Sequence, residues 1–241
     1  MFALAGLTLD LDARRLSGEG PPVFALERFE RPGRGELSLR ICVCDTEAAL
    51  PLRVFRCGDE YACAGDGLNG RIGDRSGELC VTPGAEITAL RLACALWLLP
   101  RGGLLLHGAC VEHEGRGHVF VGRSGAGKTT LAGRLGARVI SDEVTCLKDG
   151  RVQGHPFQSR LGDGRAPEGG LPLGSLATLA QGEPRRERLF GAAAGRALLS
   201  RVFLPARDAR SIAFALATAS ALSIDSLTVP LDERALRAAL P

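Results

Sequence analysis

Residues 118–130 read HVFVGRSGAGKTT, and within them Gly122-Arg123-Ser124-Gly125-Ala126-Gly127-Lys128-Thr129 fits G-x-x-x-x-G-K-[ST]. The pattern constrains the fold because it works only between a strand and a helix. An apolar strand from His118 to Val121 leads in, and a helix-compatible segment from Thr129 leads out. Gly122, Gly125 and Gly127 allow backbone turns that a Cβ would block, so main-chain N–H groups can face phosphate oxygens. The helix start behind them adds positive potential. In such a loop Lys128 reaches the β- and γ-phosphates and the Thr129 hydroxyl meets Mg²⁺, with Thr130 beside it. Lysine is otherwise almost absent, Lys148 being the only other one. The segment reads as a binding loop for a nucleoside triphosphate, with ATP and Mg²⁺ as expected cofactors.

Further motifs follow from that anchor. Val139-Ile140-Ser141-Asp142-Glu143 reads as the next strand, ending in two carboxylates 14 residues past Lys128. Side chains of adjacent strand residues diverge, so both carboxylates can face one site only if the strand ends there. A carboxylate at that place can bind Mg²⁺ or accept a hydroxyl proton. His107 follows three leucines on a strand expected beside the phosphate-binding strand. A histidine so placed is either a core residue or a site residue. His113 and His118 flank a turn and are expected at the surface; His155, in Gly154-His155-Pro156-Phe157, stays open.

Composition narrows the classes. A formal charge of +3 with arginines spread along the chain gives no stripe for nucleic acid. The longest apolar run, Leu92–Leu99, is stopped by Pro100 and is too short for a bilayer. The opening MFALAGLTLDLDARR has no basic n-region, so a cytoplasmic chain without membrane partners is expected. The eight cysteines lack C-x-x-C pairs and are expected reduced and mostly buried.

Residues 1–83 read as a β-rich N-terminal domain holding a small antiparallel sheet, from Leu7–Leu11, Glu36–Val43 and Leu52–Arg56. Ser17–Pro22 and Gly65-Asp66-Gly67 are turns between them. An apolar helix over about 85–99 leads into a second domain, 84–241. There strands are expected at 104–111, 118–121, 138–141, 144–148 and 151–153, with an Asp149-Gly150 hairpin. Residues 154–186 read as a long loop, and the arginines in it and just after it (Arg160, Arg165, Arg185, Arg186, Arg188) offer a cation to phosphate or to an acidic acceptor. Helices near 187–200 and 207–222, a strand at 224–229 and a helix from Asp232 complete the pattern.

Leu106-His107-Gly108, the Gly122–Thr129 loop and Ser141-Asp142-Glu143 together resemble the HPr kinase/phosphorylase superfamily, specifically over about 104–157. Gly154-His155-Pro156-Phe157 is similar to its smaller HPr-kinase-like members, some of them precursor-peptide kinases of lasso-peptide clusters. The resemblance implies an α/β P-loop kinase core of the HPr kinase/phosphoenolpyruvate carboxykinase type. It implies ATP-dependent transfer to a serine-type hydroxyl of a peptide, protein or small molecule, and it allows a homo-oligomer. In that frame Asp142 is the base, Glu143 and Thr129 serve Mg²⁺, and His107 lies near the transferred phosphate. The family's later E-x-R-G-x-G signature is absent, so HPr as acceptor and phosphorolysis are not expected. The alternative function is a non-catalytic ATP-binding regulator.

Overall fold

A computed structural model describes residues 1–14, 26–44, 51–157 and 159–229. It is mixed α/β and strand-rich, 44% strand and 23% helix, with two mixed sheets of seven and eight strands. The chain divides into two units, Met1–Arg101 with Leu204–Ala213, and Gly102–Phe203 with the remainder.

The first unit holds β1 (Phe2–Leu4), β2 (Leu7–Arg14), β3 (Leu37–Val43), β4 (Arg53–Cys57), β5 (Glu60–Gly65), β6 (Leu68–Ile72) and β7 (Ser76–Val81), ordered β1-β2-β3-β7-β6-β5-β4. The expected sheet was antiparallel throughout, but β2–β3 and β3–β7 pair parallel. Period-2 alternation marks which face is buried and carries no strand direction, so this was not legible. The Ser17–Pro22 turn lies outside the described residues. Helix α1 (Glu86–Leu98) belongs to this unit, whereas the sequence division put it in the second domain. Trp97 Nε1 donates to the Gly73 carbonyl at 2.8 Å, and Arg101 donates to the Asp74 carbonyl at 3.0 Å. These bonds tie the helix end to the β6–β7 turn.

The second unit begins with β8 (Gly103–His113) and β9 (Arg116–Val121), joined at Glu114-Gly115, and continues through α2 (Lys128–Arg134) to β10 (Arg138–Ser141). β11 (Val144–Lys148) and β12 (Arg151–Gln153) form the expected hairpin, with Asp149 and Gly150 at φ +52° and +67° as a two-residue primed turn requires. The region 154–186 is not one loop: Leu171–Gln181 is the 11-residue β13, and β14 spans Arg185–Leu189. α3 (Gly191–Leu199), α4 (Ala209–Ser220) and β15 (Ile224–Val229) follow, and the helix expected from Asp232 lies outside the described residues. β13 lies between β9 and β15, parallel to both. A strand flanked on both sides loses clean alternation, and its Pro172 and Gly174 resemble loop residues.

Leu131, Ala132 and Leu135 of the α2 segment pack on Ala109, Val111, Phe120, Ala177, Leu179 and Leu227 from β8, β9, β13 and β15. The amphipathic helix that carries Lys128 is thus seated on the sheet centre. No described helix is long and apolar enough to cross a membrane. All eight cysteines are free, and Cys63, Cys94, Cys110 and Cys146 are buried. Leu131 is fully buried, so Leu131→Ala should cost about 2–5 kcal/mol. Chemical denaturation would measure this.

Candidate functional site

The Gly122–Thr129 loop starts where β9 ends. A Cβ on Gly122 would lie 2.9 Å from the Leu179 carbonyl of β13, so only glycine permits that approach. Gly127, at φ +93°, turns the chain into α2. The loop is held from the side by Gln181, whose Nε2 donates to the Gly125 carbonyl at 2.9 Å. The sequence reading missed Gln181 because it missed β13.

Lys128 is buried, and its Nζ donates to the carbonyls of Gly122 and Arg123 at 3.0 and 3.1 Å. Burial, aided by repulsion from Arg201, lowers its pKa from the ordinary lysine value. No ion pair to it is found among the described residues, so its charge is answered by dipoles alone. Such an ammonium gains from an anion brought into the loop.

β10 and β11 both pair with β8, Ser141 beside Cys110 and Val144 opposite His107. Asp142 and Glu143 occupy the gap between the two strands, which frees both from strand alternation. Gly108 fixes that gap: its N–H donates to the Glu143 carbonyl at 3.0 Å, and its carbonyl accepts from Thr145 Oγ1 at 3.1 Å. Asp142 and Glu143 both line a cleft of about 430 Å³ with His107, Ser124, Gly125, Gly127, Lys128, Thr129 and Thr130. Gly122, Arg123 and Ala126 border instead an adjoining depression of about 460 Å³, beside Arg201.

The two carboxylates differ. Asp142 is buried, and its Oδ1 accepts from Ser159 Oγ at 2.6 Å, Arg160 N at 2.8 Å and Leu161 N at 3.4 Å. Burial acts against its charge, but Ser159, these two N–H groups and the Thr129 hydroxyl outweigh it and hold the carboxyl below its ordinary pKa. Glu143 is exposed to the cleft. His107 is also exposed there, and burial of part of its ring, with Lys128 and Arg201 nearby, lowers its pKa against the pull of Glu143. The imidazole is therefore neutral at pH 7. Among the described residues no group of three or more His, Cys, Asp or Glu side chains could cage a metal. The Thr129 hydroxyl on Asp142 is instead the hard-oxygen pair that suits Mg²⁺, which takes few protein ligands beside phosphate and water.

His118 and His155 lie away from the cleft, and His113, half-buried at the end of β8, meets the His118 ring edge-on at 6.0 Å. His118 is buried, not at the surface, with Nδ1 2.9 Å from Ser175 Oγ. His155 is buried against Phe157 at 5.1 Å; its main-chain N–H donates to the Gly164 carbonyl at 2.9 Å, and its ring Nδ1 accepts from Phe157 N at 3.3 Å. It braces the turn that holds Asp142. A scan against protein-family models finds no match, and a search of curated proteins finds none that matches significantly.

Burial lowers the His155 pKa from 6.5 to about 4, against the opposing Val144 carbonyl. The unfolded chain then binds more protons between those values, so stability falls as pH drops through that window. The loss from pH 7 to pH 5 is about 2 kcal/mol from this group. Denaturant titrations across that range should show the slope in the wild type, with His155→Phe flatter by that amount.

Proposed function

We propose that this chain is an ATP-dependent kinase with an HPr-kinase-like P-loop core, transferring the γ-phosphate to a serine-type hydroxyl of a peptide, protein or small molecule. The observation that carries the reading is the convergence of Lys128, Thr129, Asp142, Glu143 and His107 on one cleft. A carboxylate pair facing a phosphate-binding loop is what hydroxyl phosphorylation needs beyond nucleotide binding.

The contacts favour exchanging the roles expected of the two acids. Asp142, sharing the Thr129 hydroxyl and already carrying three donors on Oδ1, suits the metal side. Its lowered pKa makes it a poor proton acceptor. Glu143, exposed in the cleft, is the better base. Mg²⁺ held by Thr129 and Asp142 would neutralise charge on the β- and γ-phosphates. Lys128 draws the phosphates into the loop, and neutral His107, in the same cleft, can hydrogen-bond the acceptor hydroxyl. Glu143 takes the hydroxyl proton as the oxygen–phosphorus bond forms.

Lys128→Ala should weaken ATP–Mg²⁺ binding by about tenfold or more, read by calorimetry. Glu143→Gln should still bind ATP while single-turnover transfer falls by roughly 10²–10⁴-fold. Asp142→Asn should instead raise the Mg²⁺ concentration needed. The reverse pattern would return the base to Asp142. Unchanged ATP binding in Lys128→Ala would remove the reading altogether, and full ATP binding with no turnover of any acceptor would make the chain a regulator.

A further inference from the structure

We propose that Arg160 is a catalytic residue that contacts the terminal phosphate of the nucleotide, presented by a turn clipped onto Asp142; this rests on the kinase reading above. The five arginines of the 154–188 region divide sharply. Arg165 pairs with Asp163 at 3.9 Å, and Arg185 pairs with Glu187. Arg186 and Arg188 both pair with Asp225, at 2.7 and 2.6 Å. Arg160 alone of the five lines the cleft with Lys128, and no ion pair to it is found among the described residues.

Its main chain is fixed although its side chain is exposed. The Arg160 N–H donates to Asp142 Oδ1 at 2.8 Å, between Ser159 Oγ and Leu161 N on the same oxygen. Ser159 Oγ in turn accepts from Gly162 N at 2.9 Å and from Asp142 N at 3.3 Å. The turn lies so close to β10 that a Cβ on Gly162 would sit 2.2 Å from the Ile140 carbonyl. The root of Arg160 is thus held against the carboxylate assigned to the metal, and the residue lines the cleft.

That arrangement suits the charge. Lys128 is a point charge beneath the loop, whereas a guanidinium fork can hydrogen-bond two oxygens of one phosphate. During transfer the bond from acceptor oxygen to Pγ forms and the Pγ–O bond to ADP breaks. The bonding pair leaves on the β-phosphate oxygen, and the proton goes to Glu143. Arg160 stays protonated throughout and stabilises the charge on the equatorial oxygens of Pγ. Ser159 is a positioning residue acting through the turn.

The test compares affinities of the full-length chain for Mg²⁺–ADP and for Mg²⁺ with the non-hydrolysable β,γ-imido analogue of ATP. Arg160→Ala should weaken the triphosphate analogue by about tenfold or more and change ADP by less than about twofold. Arg160→Lys should recover part of the loss. Ser159→Ala should shift the same ratio in the same direction, with Ser159→Thr restoring it; a merely structural role would weaken both nucleotides equally. Equal affinities of Arg160→Ala and wild type for the triphosphate analogue would overturn the inference while leaving the kinase reading intact. Failure of the wild type to bind either nucleotide would overturn both.

Discussion

The buried carboxylate of Asp142 is the constraint on which the site depends. An ionised group 4% exposed is costly unless its lone pairs are filled. Ser159 Oγ and the N–H groups of Arg160 and Leu161 fill one oxygen, and Thr129 supplies a further hydroxyl. Those donors come from two separate stretches of chain, one at the start of α2 and one in the turn after β12. Satisfying a single charge therefore pulls together the Gly122–Thr129 loop, the end of β10 and the turn bearing Arg160.

The same economy operates in the sheet beneath. β8 runs past both β10 and β11, and the break between those strands is where the two acids escape alternation. β13 supports the loop through Gln181 and excludes a Cβ at Gly122 through the Leu179 carbonyl. Loop, acids and histidine are thus all set by strands that neighbour one another, and none relies on a long flexible tether. Strand-borne groups hold their spacing better than loop-borne ones.

How much of this was legible in the sequence follows the range of the interactions. The glycine loop between β9 and α2, the hairpin at Asp149-Gly150, α1 and β15 were readable because local chemistry decides them. Glycine at positive φ, a turn dipeptide and a continuous apolar run each act over a few residues. β13 was not readable. Its Gly174 exists because the His118 ring lies 2.7 Å from where a Cβ would be, a contact 56 positions away in the chain. The parallel pairing of β2, β3 and β7 was hidden for the same reason, since alternation records burial and not partners.

The site divides along the same line. That Lys128, Thr129, Asp142 and Glu143 belong together was written in their spacing, but which acid does what was not. Asp142 and Glu143 are adjacent and chemically alike, and only their surroundings separate them. One is buried among donors that stabilise its charge; the other stands in the cleft. Likewise five arginines of one region are equal in the sequence, and four of them find carboxylates in the fold. Tertiary contacts thus sort chemically identical residues into four that are ion-paired and one, Arg160, that lines the cleft with no counter-charge among the described residues.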